Sequence, residues 1–254
     1  MASIYDRSDI YDLFDSPKKD EMTKAHWESV LSGIPVRTAL DVSIGTGSLT
    51  LPLAELGISL YGSDLSEAML DRCRKKAVAR GFSIDLRQCD FRALRAHFDR
   101  TFDCVMSTGN SLTYVPNDEL TDVLSQMDAL VAPGGALYFD LRNWDKIVQQ
   151  KQRFYFYDPA FLPGGDRVNL MQVWDHHGDG SITFHLLYTF ERDGRIFQKE
   201  YFEEHYYPVA WQLLLDQLAR LGYEDVTVRA FPVQFGAFDP EKSNWYCVLA
   251  RKKA

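Results

Sequence analysis

The sequence predicts an α/β fold: a mostly parallel sheet with helices on both faces, carrying an antiparallel insertion. Three observations predict it. Between residues 38 and 141 short apolar runs alternate with helix-like segments, and strands separated by helices pair in parallel with both faces covered. The first run enters Gly45-Thr46-Gly47, the tight turn and helix start that open a nucleotide-binding βαβ unit. Beyond residue 152 the rhythm changes to aromatic, β-rich runs joined by Gly164-Gly165, Gly178-Asp179-Gly180 and Arg192-Asp193-Gly194, which hairpins explain better than crossover helices do.

The elements follow in order. Residues 4–14 carry aromatics at helical spacing and end near Ser16-Pro17. An amphipathic helix is expected over 20–31, with Met22, Ala25, Trp27, Val30 and Leu31 as its core face, stopped by Gly33-Ile34-Pro35. Strand 38–42 leads through the glycine turn to a helix ending at 56. Strand 58–61 precedes Gly62-Ser63-Asp64, and Ser66 caps a helix reaching Arg80. Its basic run, Arg72, Lys75, Lys76 and Arg80, reads as a solvated face favoured near a helix C-terminus. Strand 83–87 leads to Cys89-Asp90-Phe91, and strand 102–106 to Gly109-Asn110-Ser111. A helix over 118–131 and strand 136–141 complete the alternation. The insertion holds strands at 154–157, 167–174, 181–191 and 196–207. A helix from Pro208 to 221 and strands 225–230 and 244–251 close the chain. The division expected is a core of 1–151 with 208–254, and an inserted sheet over 152–207.

Composition narrows the function. With 254 residues, 46% of them hydrophobic, the chain can bury a sizeable core and is no candidate for disorder. A net charge of −8 gives no general footprint for a phosphate backbone, so nucleic acid is disfavoured as a partner. Four scattered cysteines form no C-x-x-C pair, which fits reduced thiols in a cytoplasmic protein. Residues 1–20 lack the apolar stretch of a signal peptide, and no run approaches the ~20 apolar residues of a membrane helix. His176-His177 sits beside a glycine turn and reads as a hairpin tip, so no metal site is expected.

The glycine turn alone leaves the ligand open. Asp41 sits in the strand just before it, and a pyrophosphate there would meet roughly 1–4 kcal/mol of repulsion at ~4 Å. A ligand with an ammonium and a sulfonium and no phosphate suits that acid; S-adenosylmethionine is such a molecule. Asp64 follows the next strand about where a carboxylate takes ribose hydroxyls. Asp90 with Phe91 follows the third, offering an acceptor for an adenine amine beside an apolar plate. The plainer alternatives are a hydrogen-bonded acid at Asp41 and helix caps at Asp64 and Asp90.

On these residues, 36–142 resemble a class I S-adenosylmethionine-dependent methyltransferase, with Ser43 where many members carry Gly or Ala. The resemblance implies a Rossmann-like, doubly wound seven-stranded sheet, mostly parallel with the last strand antiparallel. It places Tyr11, Asp41, Ser43, Gly45, Gly47, Asp64, Leu65, Met69, Asp90, Phe91, Thr108, Gly109, Tyr114 and Tyr157 around the cofactor. Residues 107–115 and 139–147 further resemble the glycine and sarcosine N-methyltransferases, which also insert an antiparallel sheet after the fifth strand. On that likeness Arg142 pairs with an amino-acid carboxylate and Asn110 helps fix the amine. Tyr188 matches a substrate-site tyrosine, with Tyr206 and Tyr157 as looser matches. An ion pair of Arg142 with Asp140 or Asp145, and plain packing for the tyrosines, are the alternatives. The acceptor expected is a small amine with a carboxylate, in a protein free to form homo-oligomers. Another small metabolite methylated at nitrogen or oxygen, or a non-catalytic S-adenosylmethionine binder, stands second.

Overall fold

The computed structural model describes residues 3–252. The helices are α1 (Ser8–Tyr11), α2 (Pro17–Val30), α3 (Leu51–Glu55), α4 (Glu67–Ala79), α5 (Leu94–His97), α6 (Leu120–Asp128), α7 (Trp144–Gln150) and α8 (Trp211–Arg220). The strands of one sheet are β1 (Thr38–Asp41), β2 (Ser59–Asp64), β3 (Asp85–Gln88), β4 (Phe102–Ser107) and β5 (Val131–Arg142). A second sheet holds β6 (Phe154–Phe156), β7 (Ala160–Phe161), β8 (Arg167–His176), β9 (Ile182–Arg192) and β10 (Arg195–Tyr206), and β11 (Asp225–Ala230) and β12 (Trp245–Arg251) return to the first.

The main sheet has the order β3-β2-β1-β4-β5-β12-β11. Its first five strands are parallel, and β12 runs antiparallel to both β5 and β11. Successive residues of a strand face opposite sides, so one sheet feeds two cores. Leu40, Phe102, Val105, Phe139 and Val248 pack with α6 and α8. Ala39, Leu60, Cys104, Met106 and Tyr138 pack with α2, α3 and α4. All four cysteines are buried free thiols.

The inserted sheet is antiparallel, ordered β10-β9-β8-β6. Trp174, Phe184 and Tyr188 of its inner face enclose Ile4 and Ile10 of the N-terminal segment, together with Trp144. That segment is three short turns instead of one helix. It lies between the inserted sheet and the carboxyl ends of the parallel strands.

Boundaries moved for identifiable reasons. Strand β2 continues through Gly62, where an added Cβ would stand 2.5 Å from the Ile44 Cδ1; the glycine serves packing, not a turn. Strand β5 starts before Pro133-Gly134-Gly135. Helix α2 begins at Pro17, with the Ser16 hydroxyl accepting from the Lys19 amide. Helix α7 had no apolar period to announce it and is capped by Asn143.

Candidate active site

The carboxyl ends of β1, β2 and β4 meet at the glycine turn, the edge where open α/β sheets bind ligands. Gly47 adopts φ +77°, and a Cβ there would lie 2.8 Å from both the Cys73 Sγ and the Leu51 Cγ. Gly45, at φ +55°, faces open space and donates its amide to the Asp64 Oδ2 at 2.9 Å. The Ser66 amide donates to the Asp64 Oδ1 at 2.9 Å, while Ser66 itself is the cap of α4. Each Asp64 oxygen therefore keeps a lone pair for a ligand hydroxyl.

Asp41 is fully buried and off the wall of the cavity. It accepts from the Ser43 amide at 3.0 Å and from the Thr108 hydroxyl at 2.7 Å. Burial pushes its carboxyl up to about 6. The acid acts on a ligand through its field and through the two loops it ties together, both of which do line the cavity. Gly109, at φ +71°, donates its amide to Asp140 at 2.8 Å. Burial drives the Asp140 carboxyl up to about 8.

Tyr5 and Tyr11 close this cavity from above, leaving about 40 Å³. A larger surface cavity of about 740 Å³ lies at Arg95, Phe98 and Arg100; it opens at the start of β4, the edge opposite the loops. The lid is latched ionically. Arg72 pairs with Asp12 at 2.7 Å, and Lys76 reaches Asp15 at 2.9 Å and Asp12 at 3.3 Å. The same acids accept from the hydroxyls of Thr46 and Ser48 in the glycine turn. The basic run is thus only in part a solvated face: Arg72 and Lys75 are exposed, while Lys76 and Arg80 are half-buried, Arg80 pairing with Asp20 and Glu55.

Several expected cofactor residues stand elsewhere. Asp90 caps the turn after β3 and grips Arg92 through its amide and guanidinium, the plainer of its two readings. Phe91 is buried in the core, and Met69 is fully buried in α4. Leu65, by contrast, is 61% exposed beside Asp64. Tyr157 accepts from the Arg142 Nη2 at 3.0 Å and belongs to the far side of the site. Tyr114 joins a hydroxyl cluster with Tyr5 and Tyr206 at 2.7 and 2.8 Å.

Arg142 ends β5 and is buried. Its guanidinium carbon lies 4.8 Å from the ring centre of Trp245, 5.2 Å from those of Tyr155 and Trp174, and 5.6 Å from that of Phe184. Among the described residues no carboxylate pairs with it; Asp145 instead accepts from the Trp211 amide. The Asn110 carbonyl accepts from the Arg142 amide at 3.1 Å and from the Trp144 indole at 2.9 Å. Both of its lone pairs are spent, which corrects the expectation that it orients an amine: it positions Arg142. Tyr188 packs against Phe14 and Phe202, and Tyr206 against Phe184 and Trp144. The aromatic cage, Tyr5 and the latch escaped sequence reading. Aromatic alternation along β9 was the only trace of the cage.

A methyltransferase-domain family model matches residues 39–135. The chain is 25% identical over 254 residues to a glycine/sarcosine N-methyltransferase of Parasynechococcus marenigrum, covering 98% of this chain and 84% of that one. It is 33% identical over 189 residues to the cypemycin N-terminal methyltransferase of a Streptomyces species, covering 73% and 75%. It superposes with TM-score 0.71, at 17% identity and 99% and 98% coverage, on an S-adenosylmethionine-bound amino pentose methyltransferase of Micromonospora echinaspora.

Proposed function

The chain belongs to the S-adenosylmethionine-dependent methyltransferase family, and on that premise we propose that its acceptor is the amine of a small, carboxylate-bearing molecule of the glycine or sarcosine type. Bound S-adenosylmethionine supplies an activated methyl group on a sulfonium. The ends of β1, β2 and β4 hold it: Asp64 takes its ribose, Leu65 covers its base, and the glycine turn with Thr108 and Gly109 receives its amino-acid end.

One observation carries the acceptor reading: among the described residues no carboxylate pairs with the buried guanidinium of Arg142, which donates only to the Tyr157 hydroxyl. A buried cation costs several kcal/mol unless paired, and each ring of the cage returns only about 0.5–2 kcal/mol. An arriving carboxylate supplies the missing partner, with the fork geometry that arginine matches best. Tyr206 stands between Arg142 and the cavity, ready to orient the neighbouring amine without forcing a proton on it. The protein's task is then alignment of nitrogen with the methyl carbon. The relatives' acceptors (glycine, sarcosine and the N-terminus of cypemycin) share an amine, which supports transfer to nitrogen.

A labelled-methyl screen over glycine, sarcosine, amino sugars and simple hydroxy acids tests this. Methylated glycine or sarcosine is the expected product. Arg142→Ala should weaken acceptor binding by ~2–5 kcal/mol, seen as a rise in acceptor KM. Preference for an acceptor without a carboxylate, or an unchanged KM in the variant, would sink the assignment. Tight donor binding with no product from any acceptor would favour a non-catalytic binder.

A further inference from the structure

The inserted sheet buries one face and leaves the other bare. Side chains alternate along a strand, so Trp174, Phe184 and Tyr188 point inward to the N-terminal segment and the residues between them point out. Cross-strand pairing lines up Phe156, Met171, Leu187 and Tyr201 as one row across β6, β8, β9 and β10 on the outer face. Phe154 and Val173 pair in the row on one side of it. Towards the other end Phe161 pairs with Arg167 and Ile196 with Glu191. Phe154, Phe156, Phe161 and Ile196 are each more than half exposed, and Tyr201 is 42% exposed. Met171, Val173 and Leu187 join none of the three apolar cores of the described residues.

Single exposed apolar side chains are ordinary, but a contiguous face of them marks an interaction site. Four strands spaced ~4.8 Å apart, and the ten residues of β8 at ~3.3 Å each, cover roughly 600 Å² in projection. A corrugated surface exposes more than its projection, which brings the face near the ~800 Å² that a standard interface takes from each partner. The charges then say what the partner is. Along β10 the outward positions run Lys199, Tyr201, Glu203, so a cation and an acid flank the apolar row at equal distance. Lys199 is exposed, and among the described residues no carboxylate pairs with it. Along β8, Arg167 and Asp175 flank Met171 in the same way, four residues to either side. A two-fold axis that stacks two such faces must lie in the plane between them. Laid along the row, it sets each row residue against its own copy, Lys199 against Glu203 and Arg167 against Asp175, every pair occurring twice. The strands of the two copies then run nearly aligned, as packed sheets do.

We infer that the outer face of the inserted sheet is the interface of a two-fold dimer of this chain, sheet against sheet. Phe156, Met171, Leu187 and Tyr201 form its centre, and the Lys199–Glu203 pairs between the copies fix its register. The inner face of the same sheet carries Trp174 and Phe184 of the Arg142 cage, so the dimer backs the acceptor wall with a second sheet.

Sedimentation velocity across a dilution series tests this. The wild type should sediment at twice the monomer mass. Phe156→Asp and Leu187→Asp should each raise the dimer dissociation constant roughly a hundredfold, because the axis buries every introduced charge twice without a partner. Lys199→Glu and Glu203→Lys should each raise it roughly tenfold by setting like charges against each other. The double exchange restores opposite charges and should return the constant to within about threefold of wild type. These exchanges lie on the exposed surface and keep the test decisive if an aspartate in the row disturbs the fold. Phe235→Ser removes an equally exposed ring outside the sheet and should leave the dimer intact. A wild type that is monomeric at every concentration overturns the proposal, as does a dimer that none of the face variants loosens. Single exchanges that weaken the dimer with no recovery in the double variant overturn the two-fold arrangement.

Discussion

The donor half and the acceptor half of the site are made of different materials. Around the glycine turn the binding groups are backbone amides and small polar side chains at the ends of β1, β2 and β4, set by strand register and by two left-handed glycines. Around Arg142 they are aromatic rings from β6, β8, β9 and β12, set by packing alone. Main-chain sites demand particular residues at fixed spacing, whereas a cage needs only bulk and π surface. The first tolerates few acceptable sequences; the second tolerates many and thereby adapts to different acceptors.

The sharpest way to break this division is to cross one variant from each half. Asp64→Ala removes the carboxylate that orders Gly45 and Ser66, and donor affinity should fall by roughly a hundredfold, as expected for loss of two hydrogen bonds to a charged group. Its acceptor KM at saturating donor should move little. Arg142→Ala should do the reverse, leaving donor affinity by calorimetry near wild type. If both constants move together in both variants, the halves are one unit and the contrast drawn here is wrong.

The next largest effect belongs to the lid that joins them. Lys76 is half-buried against Asp12, Asp15 and the Ser48 hydroxyl, so it couples the N-terminal turns to the glycine loop. Lys76→Met should speed donor dissociation about tenfold in stopped-flow, because a half-buried pair with two acids is lost. Added salt should speed release from the wild type and do so less in the variant. Equal salt dependence in both would show that the latch does not hold the lid.

The same contrast explains what was legible in the sequence. The alternation of strands and helices and the hairpins of the insertion were readable, because each rests on periodicity or turn chemistry; the reversed last strand came only with the family resemblance. The position of Asp41 and Asp64 beside the glycine turn was readable, because the turn fixes what stands next to it. Asp90 stayed open because a cap and an adenine contact ask for the same acid at the same place, and its cap on Arg92 leaves each oxygen a lone pair. Met69 follows a helical period that turns it inward. The pairing of Glu204 with Tyr114 spans 90 residues, and the latch spans 60 or more. Nothing in a local pattern encodes such contacts.

The smallest expected effect concerns the charge at Asp41. Burial raises its carboxyl from 3.8 to about 6, so above that pH it is ionised and its field favours a cationic ligand. Donor affinity should be level down to about pH 6.5 and then fall, by up to roughly tenfold at pH 5, as the acid takes up a proton. The free fold should respond in the opposite sense. A group whose folded pKa is raised lends stability that is full below its unfolded value and lost as pH rises through the folded one. Acidification through the same window therefore strengthens the fold while weakening the complex. Asp41→Asn preserves the shape, with the Ser43 amide donating to its oxygen and its amide donating to Thr108, and should flatten both responses. Were donor affinity in that variant still to fall below about pH 6, the titration would belong to Asp64, whose carboxyl burial also raises. A level wild-type affinity to pH 5 would leave shape and hydrogen bonding, without charge, as the basis of donor recognition.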